Sequence, residues 1–182
     1  MRNLILITIT LFSVLSLSAQ QKSFSSLEAD SIVGGNKIKF SSFGNQSVLI
    51  VPIATLDSNF SQLFELKKLK QQYKNELVVI LFPIIDFNSE PASNEQIALF
   101  LKKFNFPFLI AAKCSVKGAS AHAVFKWIDT SLQRGSFQAR EYKPFEKILI
   151  QKKGSIVSLF NTNARFLSNK ELAKNFKNRL KD

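Results

Sequence analysis

Of its 182 residues, the chain spends one on cysteine (Cys114) and one on histidine (His122). A single thiol excludes an intramolecular disulfide, a CxxC redox pair and a cysteine zinc cluster. A single imidazole excludes a histidine-based metal site, so neither a metal nor another cofactor is expected. Acidic groups are also scarce, with 13 Asp and Glu against 25 Lys and Arg, a formal net charge of +12. The excess is not gathered into arginine clusters with interleaved aromatics. It is spread over Lys67, Lys68, Lys70 and Lys74, then Lys102 and Lys103, Lys152 and Lys153, and a C-terminal group ending at Lys181. Such spacing describes solvated helix faces and argues against a nucleic-acid partner; it leaves room for weak attraction to anionic surfaces.

Long apolar runs are absent except at the start. There Met1-Arg2-Asn3 precedes an apolar stretch from Leu4 to Leu17, and Ser18-Ala19-Gln20 follows. About 14 residues fall short of the roughly 20 that a spanning helix needs. The layout is that of a secretory signal peptide cut after Ala19, and the lack of a following cysteine argues against a lipid anchor. Residues 1–19 are therefore expected as a signal peptide and residues 20–182 as one domain. The expected location is periplasmic or secreted, with no integral membrane segment after processing.

Apolar residues are plentiful, at 46% of the chain with 18 Phe, enough for a substantial core. Val48-Leu49-Ile50-Val51 and Val78-Val79-Ile80-Leu81-Phe82 are continuous apolar runs, as strands buried on both faces require. Between them Leu63, Leu66, Leu69 and Tyr73 form one helical stripe. Strand, helix and strand in so short a span predict a parallel βαβ unit. Ser93-Asn94-Glu95-Gln96 has capping-box spacing, with Ile97, Phe100, Leu101 and Phe104 behind it at helical intervals. A strand is expected over Phe106 to Ala111 and a helix over Ala121 to Ile128. Lys147 to Ile150 and Ile156 to Phe160 should form a hairpin turning at Lys153-Gly154. A second capping box, Ser168-Asn169-Lys170-Glu171, should open a last helix carrying Leu172, Phe176 and Leu180. Gly34-Gly35-Asn36 marks an N-terminal hairpin turn. The expected fold is α/β and thioredoxin-like: a central mixed sheet flanked by helices, with an N-terminal β-hairpin.

Val48-Leu49-Ile50-Val51-Pro52-Ile53-Ala54-Thr55, Phe82-Pro83, Glu90-Pro91-Ala92-Ser93-Asn94-Glu95, Val116-Lys117-Gly118 with Ala121-His122, Phe125-Lys126-Trp127, and Phe145 to Ile150 follow one another at set intervals. In that order they resemble the glutathione peroxidase family from about Ser23 to Leu180. The resemblance implies a peroxide-reducing oxidoreductase frame, and at the implied site every position differs. Asp57 stands where the family carries its reactive cysteine or selenocysteine, Asp86 where it carries glutamine, and Ile84 where a further cysteine precedes it. Lys143 and Pro144 replace a tryptophan and an asparagine, and Leu101 occupies a resolving-cysteine position. One residue is missing between Asn88 and Ser89. The short stretch between Ile128 and Lys147 lacks the insertion of tetrameric members, which implies a monomer. His122 and Trp127 fall at packing positions.

A carboxylate cannot follow a thiolate through sulfenic acid and back, whereas Asp at a helix start is a good N-cap. The expectation is an exported pseudo-enzyme serving as a binding or interaction module, its partner an unspecified protein or small molecule. Two alternatives stay open. One is a thiol-dependent peroxidase or oxidoreductase of oxidative-stress type using Cys114, although a buried inert thiol is the simpler reading. The other is a non-redox activity built on Asp57, Asp86 and Lys143, should these converge into a charged patch.

Overall fold

The computed structural model describes residues 22–86, 90–132, 141–152 and 154–181. The expected signal segment and the missing residue near Asn88 lie outside them. A short antiparallel pair comes first, β1 (Glu28–Asp30) and β2 (Lys37–Lys39). Gly34 and Gly35 make its turn at φ +75° and +64°, a region closed to most side chains.

The main sheet follows: β3 (Ser47–Ile53), α1 (Gln62–Gln72), β4 (Leu77–Pro83), α2 (Asn94–Lys102), β5 (Leu109–Ile110), α3 (Ala123–Leu132), β6 (Lys147–Ile150), β7 (Ile156–Phe160) and α4 (Lys170–Lys181). Strand order is β5-β4-β3-β6-β7. β3 runs parallel to β4, and β4 to β5, while β6 and β7 are antiparallel, so the sheet is mixed as expected.

Every residue of β3 and β4 is buried, because successive side chains feed opposite faces and both faces are covered. Val48, Ile50, Val78 and Ile80 join Val124, Phe125 and Ile128 of α3 and the hairpin residues Ala29 and Ile38 on one side. Leu49, Val51, Val79 and Leu81 meet Leu63, Leu66 and Leu69 of α1, Ile97 and Leu101 of α2, and Phe176 and Leu180 of α4 on the other.

Some boundaries differ from the sequence pattern. β5 spans two residues rather than the run from Phe106 to Ala111, since Phe106 and Phe108 turn into an aromatic stack at 5.3 Å instead of pairing. α3 begins at Ala123, because His122 Nδ1 accepts from the Val124 N–H and so ends the loop. The Ser93 capping box forms with both reciprocal bonds. The last helix is capped one residue later than the Ser168 box predicts: Asn169 Oδ1 accepts from Leu172 N at 3.0 Å, and α4 starts at Lys170.

Candidate functional site

The parallel strands β3 and β4 end side by side, and their C-terminal ends are where ligands approach open α/β sheets. After Ile53 the chain passes through Ala54, Thr55 and Leu56 into a single 3₁₀ turn, Ser58–Ser61, that leads into α1. Asp57 is the N-cap of that turn. Its Oδ1 accepts from the backbone N–H of Asn59 at 2.7 Å and from Asn59 Nδ2 at 3.0 Å, and the residue is half-buried. It caps the 3₁₀ turn and not α1 itself, whose own N-cap, Ser61, makes no side-chain bond.

Behind Asp57 a polar chain runs into the protein. Gln62, buried on the first turn of α1, donates from Nε2 to Asn59 Oδ1 and to the Thr162 carbonyl, both at 2.8 Å. Its Oε1 accepts from Lys147 Nζ, which also donates to the carbonyls of Thr162 and Ala164 at 3.1 Å each. Lys147 opens β6 and is only 1% exposed. Burial pulls its ammonium down from the ordinary 10.5 to about 8, and nearby Arg165 pushes the same way; Glu65 and Glu146 oppose them. The Lys147–Gln62–Asn59–Asp57 chain escaped the sequence reading. Its one visible signal was a lysine placed at the head of an otherwise apolar strand.

Asp86 follows β4 and is buried. Its Oδ1 accepts from Ser115 Oγ at 2.9 Å and its Oδ2 from Val116 N at 2.7 Å. The carboxylate thus pins the loop after β4 to the segment beyond β5. Lys143 is exposed, and Pro144 is half-buried with its carbonyl accepting from Thr162 Oγ1 at 3.1 Å. Among the described residues no hydrogen bond or ion pair links Asp57, Asp86 and Lys143 to one another. Phe145, next in line, sits at φ +63° with its side chain fully buried, held by an N–H bond of 2.7 Å to the Pro52 carbonyl. A non-glycine residue there costs on the order of 1–3 kcal/mol, and such strain collects at sites whose geometry the surroundings dictate.

Cys114 lies beside Ile84 in a parallel bridge, donating its N–H to the Pro83 carbonyl at 3.0 Å. It packs against the core, and burial, aided by the Asp86 carboxylate, pushes its thiol up to about 12. His122 and Trp127 pack: His122 meets the Phe82 ring at 5.5 Å and Trp127 the Phe24 ring at 5.0 Å. Glu90, also missed as a working residue, is buried and accepts from Thr55 N at 2.6 Å and Thr55 Oγ1 at 2.9 Å, tying the end of β3 to the entry of α2. Beside this tie a cavity of about 420 Å³ opens between Leu56 and α2, lined also by Pro91, Ala92, Gln96, Ile97 and Phe100. No group of three His, Cys, Asp or Glu side chains among the described residues is placed to hold a metal.

The surroundings of position 57 therefore offer hydrogen-bond donors and a buried cation, while the half-buried thiol of Cys114 sits beside Ile84. The glutathione peroxidase family model matches residues 24–129. The chain is 30% identical over 131 residues to the glutathione peroxidase-like peroxiredoxin gpx1 of Schizosaccharomyces pombe, covering 70% of this chain and 82% of that one. It is 32% identical over 132 residues to the glutathione peroxidase homolog BsaA of Halalkalibacterium halodurans, covering 71% and 83% respectively. In fold it resembles the crystal structure of T. cruzi GPX1, with a TM-score of 0.62 at 20% identity over 87% of this chain and 95% of that one. By sequence match over more than half its length, and with the same fold, this chain belongs to the glutathione peroxidase family.

Proposed function

We propose that the protein is a glutathione peroxidase-like pseudo-enzyme, exported after loss of residues 1–19 and acting as a monomeric binding or interaction module. The observation that carries this reading is the chemistry at position 57. Peroxide reduction needs a thiolate there to attack the O–O bond and pass through sulfenic acid. Asp57 supplies a carboxylate already engaged as a cap by two N–H groups of Asn59, and it has no redox step available.

The remaining sulfur supports the same reading. With its thiol pushed up to about 12, Cys114 stays protonated at neutral pH, and the half-buried residue packs against the core. Nor does the buried Asp86, engaged by Ser115 and Val116, favour a charged catalytic patch with Asp57 and Lys143. The test is peroxide consumption with glutathione or thioredoxin as reductant. Background rates for the native protein are expected, unchanged in Cys114→Ser; turnover well above background that Cys114→Ser abolishes overturns the reading. Sedimentation of the purified protein tests the monomer, and the N-terminal sequence of protein recovered from its host tests export.

A further inference from the structure

The outer sides of α1 and α2 carry an aromatic face that the described residues leave open. Phe64 is 45% exposed, and its ring meets Phe104 at 5.6 Å and Phe106 at 5.3 Å. One turn earlier Phe60 reaches Phe100 at 5.2 Å and Phe104 at 5.4 Å. Five rings, none of them fully buried, thus form one connected cluster, with Phe104 stacked on Phe106. Phe60, Phe100 and Phe106 lean on the core below, but Phe64 and Phe104 lie outside it. A layer that merely sealed the sheet would not need them, nor Leu99, which stands 65% exposed on α2. Hollows flank α2 on both sides: the one of about 420 Å³ bordered by Leu56 and Phe100, and one of about 360 Å³ bordered by Leu99 and Phe106. Contiguous apolar surface of this kind marks an interaction site.

Lysines rim the face. Lys67 and Lys68 follow Phe64 by three and four residues and so straddle it on the α1 surface. Lys102 and Lys103 are exposed at the end of α2. Lys67 is already committed, donating to the Phe104 carbonyl at 3.0 Å and lying 5.9 Å over the Phe106 ring. The neighbouring carboxylates of Glu65 and Glu95 are each engaged by another residue. Glu65 accepts from Leu167 N at 2.6 Å, and Glu95 accepts from Ser93 Oγ at 2.8 Å at the far end of α2.

We propose that this face docks an acidic polypeptide segment, with aliphatic or aromatic side chains in the two hollows and carboxylates against Lys68 and Lys103. The inference rests on the interaction role proposed above and gives it a place. A polypeptide fits better than a bilayer because the hollows are of side-chain size, and because the rings pack against one another instead of projecting as wedges. Buried apolar anchors with a charged rim are how such segments gain affinity and register.

The experiment measures anisotropy of a short fluorescein-labelled peptide of Glu, Leu and Phe, with its Lys-for-Glu and Ser-for-Leu/Phe counterparts as controls, and maps backbone amide shifts. The Glu peptide is expected to bind, with shifts confined to residues 55–68 and 91–106 and to Val33 and Ile110, which line the two hollows. Binding should weaken about tenfold in Lys68→Glu/Lys103→Glu and also in Phe64→Ser/Leu99→Ser. Far-UV dichroism and Tm report whether the variants stay folded, and the charge-reversed protein should now prefer the Lys peptide. Equal binding of the three peptides, no binding at millimolar peptide, shifts elsewhere, self-association through the face, or variant-sensitive binding to phosphatidylglycerol vesicles in place of the peptide each overturn the proposal. None of these results bears on peroxide turnover, so failure here leaves the pseudo-enzyme reading to its own assay.

Discussion

Replacing Lys147 with methionine should change how stability depends on pH, and the expected size can be worked out. In the fold the ammonium is held near 8, whereas in the unfolded chain it returns to the ordinary 10.5. Between those values the unfolded chain carries a proton that the folded one lacks, so raising the pH favours folding there. The penalty for burying the charge is thus fully present below pH 8 and relieved as pH climbs toward 10.5. A fall from 10.5 to about 8 corresponds to about 3 kcal/mol. At neutral pH, Lys147→Met removes that penalty but leaves Gln62 Oε1 and the Ala164 carbonyl without their donor, at about 1–3 kcal/mol each. The Thr162 carbonyl keeps its bond from Gln62 Nε2. The two effects partly cancel at pH 7, so the variant is modestly destabilised there. Its deficit should widen by roughly 2–3 kcal/mol by pH 10.5, because only the native protein gains. Urea unfolding of both proteins at intervals from pH 7 to 10.5, followed by far-UV dichroism, reads the difference directly, and the other titrating groups largely cancel. Parallel curves across that range would show that Lys147 is not a buried cation and would refute the reasoning.

Other outcomes follow from the same contacts. Asp57→Ala should cost about 0.5–1 kcal/mol by removing the acceptor for both Asn59 donors, while Asp57→Asn should cost less; a neutral alanine variant in thermal melts would contradict the cap. Glu90→Ala should cost about 2–3 kcal/mol, since it strands the buried Thr55 N–H, and amide exchange at Thr55 should quicken in Glu90→Ala. Cys114 should react with Ellman's reagent only after unfolding, given a thiol pushed up to about 12; stoichiometric reaction of the native protein within minutes would contradict its burial. His122 is held below its ordinary 6.5 chiefly by burial. Stability should therefore fall as pH drops below 6.5, because the unfolded chain takes up the proton first, and His122→Asn, which can still cap α3, should flatten that slope.

The frame was legible because it depends on periodicity and caps. Continuous apolar runs at Val48–Val51 and Val78–Phe82 can be satisfied only by strands covered on both faces, and both proved buried throughout. Ser93 and Gln96 announce their helix by local bonds that need no tertiary context. Ends set by side chains from elsewhere were not legible: the run at Phe106–Ala111 is apolar enough for a strand, but aromatic stacking claims its first residues. The same limit applied at the site. Asp57 was readable as a cap because its partner lies two residues away. Asp86 was not readable as a loop tie, because Ser115 and Val116 are 29 and 30 residues on. Lys147 reaches Gln62 across 85 residues, so its place at the head of an apolar strand could hint at burial but could not name its partner.

The Asp57–Asn59 cap bears on which sequences lie within reach of this one. A single substitution installing sulfur at position 57 would forfeit an acceptor that both Asn59 donors now use, so that change lowers stability whatever chemistry the sulfur brings. That step would also leave Asp86, Lys143 and Pro144 in place, with Asp86 tied into the loop by two bonds of its own. Replacing Asp86 would give up those two bonds, whereas Lys143 is exposed and the bond at Pro144 runs through its backbone carbonyl. In mutational terms position 57 acts as a ratchet: exchanging its carboxylate for a thiol runs uphill in stability from the first substitution.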